Sequence, residues 1–290
     1  MQSQRFSRRE FGAMLGASLA AFATTEVRAA GLSAGDVVDR IRRNIGVPWN
    51  EKTYRDTYKI GGPDVKVTGI ATTFMSTLDV LQRAHAAGLN MIITHEPTFW
   101  SDADLVQPVA NDRLYKLKLA FGNRNNLVVW RFHDHWHARR PDGIFQGWNR
   151  ALGWENYLQP GDARRWVIPT STLGEVARHL AARLNSRSIR IIGDPALPVT
   201  RVGRGAHIIA GNMKALPDVD LLIVSEAREW DSAEYIRDTV LSGQKKGAII
   251  IAHEAGEEAG MDNCAQWLKG FVSDVPVQFI DTHDQMWIPA

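Results

Sequence analysis

Met91-Ile92-Ile93-Thr94-His95-Glu96-Pro97-Thr98-Phe99-Trp100 begins as an apolar run and stops abruptly at a histidine beside a carboxylate. Residues 91–94 are apolar or β-branched, as expected of a buried strand. Pro97 holds Glu96 in extended geometry and cannot donate to a sheet ladder, so the strand must end there. In open α/β sheets the carboxyl ends of the strands are where sites form. A histidine at a strand end is often a hydrogen-bonded structural residue, so this pair is ambiguous until the neighbouring strands are read.

Upstream, Val65-Lys66-Val67-Thr68-Gly69-Ile70-Ala71 reads as a strand. Leu78, Leu81, Ala84 and His85 then fall on one stripe of a helix closed by Gly88, so the two strands form a parallel βαβ unit. Residues 32–45 carry Val37, Val38, Ile41 and Ile45 at helical spacing behind Ser33, a suitable N-cap. Downstream, residues 109–121 read as a helix with Leu114, Leu117 and Phe121 as buried positions, and Asn123-Arg124-Asn125-Asn126 is turn chemistry. Leu127-Val128-Val129-Trp130-Arg131-Phe132 is a second apolar strand, ending in the cluster His133-Asp134-His135-Trp136-His137. Residues 142–154 form a short aromatic-bearing helix, and residues 173–184 an amphipathic one whose His179 faces solvent. Between strand candidates at 199–202 and 219–226, Val202-Gly203-Arg204-Gly205-Ala206 reads as a plain turn, with His207 unassigned. The third buried strand ends in Val224-Ser225-Glu226, and the fourth, Gly247-Ala248-Ile249-Ile250-Ile251-Ala252-His253, has Glu257 four residues beyond its histidine. Residues 275–280 are a last strand, and Asp281, His283 and Asp284 a terminal polar loop.

The first residues read as an address. Ser7-Arg8-Arg9-Glu10-Phe11 is a twin-arginine pattern, followed by a short run rich in Gly and Ala and by Val27-Arg28-Ala29, a small-residue cleavage site. Residues 1–29 are therefore expected to be a signal peptide, which places the mature protein in the periplasm or another extracytoplasmic space with no stable membrane span. Its removal takes away Arg5, Arg8, Arg9 and Arg28 against Glu10 and Glu26, and the formal charge falls from +2 to zero. A neutral chain gives nucleic-acid binding no compositional support. Cys264 is the single cysteine, so no intramolecular disulfide can form.

His95, Glu96, His137, His253 and Glu257 all lie at or just beyond strand ends, as convergence on one cleft requires. Three histidines and two carboxylates can serve two divalent cations, and the lack of thiolates favours Zn, Mn, Fe, Co or Ni over a structural cysteine-type zinc site.

Between about residues 65 and 267 these motifs together resemble the Nif-three-like family of dinuclear-metal-centre hexameric proteins, some members of which are described as type 2 GTP cyclohydrolases. The family's Ile-Thr-His-His-Pro is matched by Ile93-Thr94-His95-Glu96-Pro97, its His-Thr-Asn-x-Asp by residues 133–137, its Thr-Gly-Glu by Val224-Ser225-Glu226, and its His-x-x-x-Glu by His253 to Glu257. Two departures look reciprocal: Glu96 stands at the family's second histidine and His137 at its aspartate, so the count of ligand types is preserved. The resemblance implies a two-lobed α/β architecture of mixed, largely parallel sheets with flanking helices, and a homo-oligomer, a hexamer by family habit. In one domain of residues 30–290, lobes of about 30–158 and 218–290 would form the metal site around a middle segment, 159–217.

The expectation is an exported metal-dependent hydrolase of a small molecule, with Glu96 or Glu257 as general base, Glu226 orienting substrate or water, and Trp100 and Trp136 walling the pocket. The rival is a metal-binding or partner-binding protein without turnover.

Overall fold

The run at residue 91 is the middle strand of a five-stranded sheet, and all six residues of that strand are buried. The computed structural model describes residues 31–284, 286 and 289. The expected signal segment, residues 1–29, lies outside them. In order, the first half runs α1 (Ala34–Asn44), β1 (Tyr58–Ile60), β2 (Ile70–Met75), α2 (Leu78–Ala86), β3 (Met91–Glu96), α3 (Arg113–Arg124), β4 (Val128–Arg131), α4 (Asp134–Ala138) and α5 (Gly143–Leu152). The second half runs β5 (Leu158–Gln159), β6 (Asp162–Thr172), α6 (Leu173–Arg183), β7 (Arg190–Ile192), β8 (Pro198–Arg204), α7 (Ile209–Ala215), β9 (Leu221–Ser225), α8 (Glu234–Leu241), β10 (Gly247–Ile251), α9 (His253–Lys269) and β11 (Val277–Phe279). None of these helices is long and apolar enough to cross a membrane.

The architecture is mixed α/β. One sheet has the order β1-β4-β3-β2-β11 and is parallel except where β1 meets β4. The other, β5-β6-β8-β9-β10-β7, is parallel only through β8, β9 and β10. Alternation along the central strands feeds a core on each side of each sheet: Ile93 packs with α1 and Trp130, Ile92 with α2 and Val129. In the second sheet Ile223 and Ile249 face one core, Leu222 and Ile250 the other. A fully buried Ile or Leu contributes about 1.5–3 kcal/mol, so strands covered on both faces are the stable frame from which the loops project.

The helix that begins at His253 joins the two sheets. Ala255 of α9 packs in a core of the second sheet, whereas Met261, Cys264 and Leu268 pack in a core of the first. Beside it α5 does the same through Ile144 and Trp148. Their backbones approach so closely that a Cβ at Gly147 would meet the Ala259 carbonyl, and one at Gly260 would meet Ile144 Cα. Only glycine fits that crossing, and the crossing sets where the start of α9 points.

Several local expectations give way to tertiary context. The strand expected at 65–71 starts at Ile70, because Val65 and Val67 instead exchange backbone hydrogen bonds with Ala34 and Leu32 at the entry to α1. In α3, Leu114 and Leu117 are exposed; the face toward the sheet buries Lys118 and Gly122 and packs Tyr115, Leu119 and Phe121 against the core. That helix also continues through Arg124, and the turn begins after it. His179 is not solvated alone: its Nε2 donates to the Leu152 carbonyl at 2.9 Å and its ring stacks on Trp154. Gly203 and Arg204 extend β8, so the expected turn starts at Gly205. The last strand is confined to Val277–Phe279.

Candidate metal centre

Four strand ends deliver the polar residues. His95 and Glu96 close β3, His133 follows β4, Glu226 follows β9, and His253 follows β10 as the first residue of α9. Glu257 lies one helical turn beyond His253, on the same face. His133 and His137 are likewise one turn apart, because the segment after β4 winds into α4. That winding has a specific cause: the loop residue Asp56 accepts hydrogen bonds from the backbone N–H groups of His133, Asp134 and His135, at 2.6, 2.9 and 3.0 Å. Asp56 acts as a helix cap supplied from far away in sequence. His135 is drawn off to a structural role, stacked on Trp49 at 3.6 Å, with its Nδ1 on Asp56 and its Nε2 accepting from the Asn50 N–H.

Five other histidines share one pattern. His95 Nδ1 donates to the Phe132 carbonyl at 3.1 Å, His133 Nδ1 to Asp134 at 3.0 Å, His137 Nδ1 to Asp142 at 2.9 Å, His207 Nδ1 to the Ser225 carbonyl at 3.0 Å, and His253 Nδ1 to Glu226 at 2.8 Å. An Nδ1–H held by an acceptor fixes the ring and leaves Nε2 as the coordinating nitrogen, the arrangement usual for metal-bound histidine. The rings also converge: His95 lies 4.6 Å from His133 and 5.0 Å from His137, and His207 lies 4.4 Å from His253.

Glu257 sits between the two groups. Its Oε2 has His95 Nε2 at 3.4 Å and His253 Nε2 at 3.2 Å, close enough for attraction but not aligned as hydrogen bonds. All three atoms are buried and make no hydrogen bond. Buried polar atoms without partners are rare and costly. Here they face one another across a gap that a cation fits. Ligand atoms of His95, His133 and His137 lie within 4.8 Å of one another, as do those of His95, Glu96 and Glu257, and those of His207, His253 and Glu257.

The remaining carboxylate oxygens face buried arginines. Arg131 Nη2 donates to Glu96 Oε2 at 3.2 Å, and Arg131 Nε donates to the His95 carbonyl at 2.9 Å. Glu96 Oε1 is turned the other way, 3.7 Å from His133 Nε2 and 3.9 Å from His253 Nε2. Glu257 Oε1 lies 3.8 Å from Arg204 Nη2, whose guanidinium is packed 4.8 Å from both Phe145 and Trp148. Each acid therefore offers one oxygen to the histidines and is held by a guanidinium at the other.

Charge follows from these contacts. Burial opposes ionisation of Glu257, but His253 and His95 outweigh it and hold the carboxyl well below the usual range. Burial alone would lower His253; the carboxylates of Glu226 and Glu257 instead push it up to about 10. Without metal the centre thus keeps a proton that a cation would displace. Burial, with the neighbouring His95 and His137, pushes His133 down to about 4, so its ring is neutral and ready to ligate at pH 7.

Of the residues singled out by sequence, His95, Glu96, His137, His253 and Glu257 all lie in this cluster. Glu226 reaches it through His253. Trp100 lines the adjoining cavity, whereas Trp136 is fully buried with its indole N–H on the Gly260 carbonyl. Sequence reasoning passed over His133 and His207 as ligands, and Arg131 and Arg204 altogether. In the terminal polar loop, Asp281 accepts from Arg83 and Asp284 from the Arg187 N–H.

The cluster opens into a cavity of about 980 Å³ walled by both sheets. Its cations include Arg55, which is paired with Asp102 and Asp134, and Arg164, which has no ion pair among the described residues and lies over Phe145. Two residues of the wall, Trp100 and Glu226, hold left-handed backbone with φ of 58° and 53°. Such strain in non-glycine residues gathers at functional sites.

Residues 35–285 match the profile of the family described as Duf34/NIF3 (NGG1p interacting factor 3). Among solved structures the fold is similar to Staphylococcus aureus hypothetical protein SA1388, at 17% identity and a TM-score of 0.70 over 89% of this chain and 100% of that one. It is similar to a Bacillus cereus protein related to NIF3, at 11% identity and a TM-score of 0.69 over 89% and 99%. A third likeness is to reduced HcgD from Methanocaldococcus jannaschii, at 13% identity and a TM-score of 0.61 over 85% and 97%. Likenesses at such identities speak for the fold alone. No protein with a curated description matches the chain.

Proposed function

We propose that this chain, which belongs to the Duf34/NIF3 family, is a metal-dependent hydrolase of a small substrate, with two divalent cations as its cofactors. The observation that carries the reading is the convergence of histidine Nε2 atoms, each with its Nδ1 already donated, around Glu257 Oε2, a buried carboxylate oxygen that makes no hydrogen bond. Two cations held there would lower the pKa of a shared water toward ~7 and polarise a carbonyl or phosphoryl oxygen. The chain's own residues supply position and proton transfer. Arg131 and Arg204 fix the acids, Glu226 fixes His253, and Trp100 walls the cavity.

Of the three carboxylates, Glu96 is best placed as general base, because it lines the cavity and its Oε1 stands off at 3.7 and 3.9 Å from His133 and His253, while Glu257 is engaged more tightly between two histidines and Arg204. Glu226 is a positioning residue in this scheme. The guanidinium of Arg164, which lines the cavity with no ion pair among the described residues, favours a substrate carrying an anionic group. The twin-arginine pattern at Arg8 and Arg9 supports export to an extracytoplasmic space, where nucleoside triphosphates are scarce, and so weighs against GTP as substrate.

Bis(p-nitrophenyl) phosphate and p-nitrophenyl acetate, generic substrates of hydrolytic metal centres, test the reaction. Turnover should require a divalent cation and fall about 10²–10⁴-fold in Glu96→Gln, with metal content retained. Hydrolysis that survives chelation, or that Glu96→Gln leaves unchanged, would overturn the scheme.

A further inference from the structure

We infer that His207 is a ligand of the second cation, contributed by the middle segment to a centre whose other members come from the flanking parts of the chain. The inference rests on the two-cation reading and adds a residue to it. His207 follows β8 in the stretch Gly205-Ala206-His207-Ile208, and the fold holds that stretch by specific ties. The buried Asn212 side chain accepts from the Ala206 N–H at 2.8 Å and donates to the Ala206 carbonyl at 3.0 Å, and its amide also donates to Ser232 Oγ at 2.9 Å. A side chain at position 205 would strike Asn212 Oδ1, so glycine there lets the clasp close. His207 Nδ1 then donates to the carbonyl of Ser225, the last residue of β9. One strand end thus anchors His207 while the adjacent one launches His253.

The result is two imidazoles 4.4 Å apart at an angle of 48°, both with Nδ1 committed as donor. Their ligand nitrogens share a 4.8 Å neighbourhood with a carboxylate oxygen of the buried Glu257. Two nitrogen lone pairs and a carboxylate oxygen pointed at one volume repel unless something positive lies between them. A proton can serve one pair of these atoms; a divalent cation serves all three. His95, His133 and His137 form a separate nitrogen-rich group on the far side of Glu257, so the acid's Oε2, close to both His95 and His253, is placed to be shared. His207 is also the most exposed of the five histidines and lines the cavity beside His253.

Co²⁺ titrated into the metal-stripped full chain tests this. Wild type should take up two ions, and His207→Ala should keep one while binding the second at least about tenfold more weakly, since changes even in the partners of ligands cost 10–100-fold. His207→Cys supplies the positive control: a thiolate at position 207 bound to Co²⁺ adds a sulfur-to-metal charge-transfer band that a merely structural residue would not produce. If His207→Ala binds two ions with wild-type affinity and spectrum, or His207→Cys shows no thiolate band, His207 is no ligand and the hydrolase reading stands without it. A wild-type protein that takes up no Co²⁺ would overturn both.

Discussion

Glu257→Ala should strip both cations from the protein and destabilise the metal-free fold by about 3 kcal/mol. The first effect follows because Oε2 faces both His95 and His253, so one truncation removes a ligand from each cation at once. The second follows because Arg204 would remain buried after losing the carboxylate 3.8 Å away, and breaking one side of a buried ion pair is strongly destabilising. The guanidinium keeps its hydrogen bond to the Gly256 carbonyl at 2.7 Å and its packing on Phe145 and Trp148, which places the loss at the low end of that class. Glu257→Gln separates the two effects: its neutral amide cannot serve as an anionic ligand but still fills the volume, so metal should go while most of the stability stays. Metal content and denaturant unfolding of the two variants, each with and without chelator, check this. Two cations retained by Glu257→Ala would remove the shared carboxylate from the account.

The other large effect concerns Lys118, beneath the cavity wall. Its ammonium donates to the Thr98 carbonyl at 2.6 Å and lies over the rings of Phe99 and Trp100, and burial pushes its pKa from 10.5 down to about 8. A group whose folded pKa is depressed in this way binds fewer protons folded than unfolded between pH 8 and 10.5. Stability from this residue therefore rises with pH across that window, by roughly 3 kcal/mol. Below pH 8 the folded chain carries the full cost of a buried charge. In Lys118→Met that component is absent, so the stability of wild type relative to the variant should climb by about that amount from pH 7.5 to 10.5. Urea unfolding at several pH values measures it, and parallel pH profiles for the two proteins would show that Lys118 is not the residue responsible.

What could be read in sequence was set by how local its cause is. The apolar runs at 91, 127, 219 and 247 are strands because they are buried on both faces, and a run that ends at proline or a polar cluster marks its own end, so His95, Glu96, Glu226 and His253 were placed from composition alone. Glu257 needed only helical spacing. His133 was missed for a different reason: it becomes a neighbour of His137 only when α4 forms, and α4 is capped by Asp56, which no window around residue 133 contains. His207 depends on the Asn212 clasp and on β8 lying beside β9, both tertiary. Arg131 read as one more strand residue, and Arg204 as part of a glycine turn. Lys118 likewise read as the polar side of a helix whose apolar Leu114 and Leu117 in fact face out.

The local partners also bear on positions 96 and 137, where the resemblance implies reciprocal departures. Glu96 accepts a hydrogen bond from Arg131 and His137 donates one to Asp142, so each residue has a partner suited to it. Histidine at 96 would set a ring beside a buried guanidinium, and aspartate at 137 would face Asp142. Glu96 and His137 therefore each suit this chain's own surroundings.

The most direct test is anomalous X-ray scattering from crystals of the metal-loaded full chain, collected at the absorption edge of the bound element. The account predicts two cations ~3.5–4 Å apart, one among the Nε2 atoms of His95, His133 and His137 and the other between His207, His253 and Glu257. An anomalous map with no peak among these nitrogens, in protein exposed to saturating Zn²⁺, Mn²⁺, Fe²⁺, Co²⁺ or Ni²⁺, would contradict it.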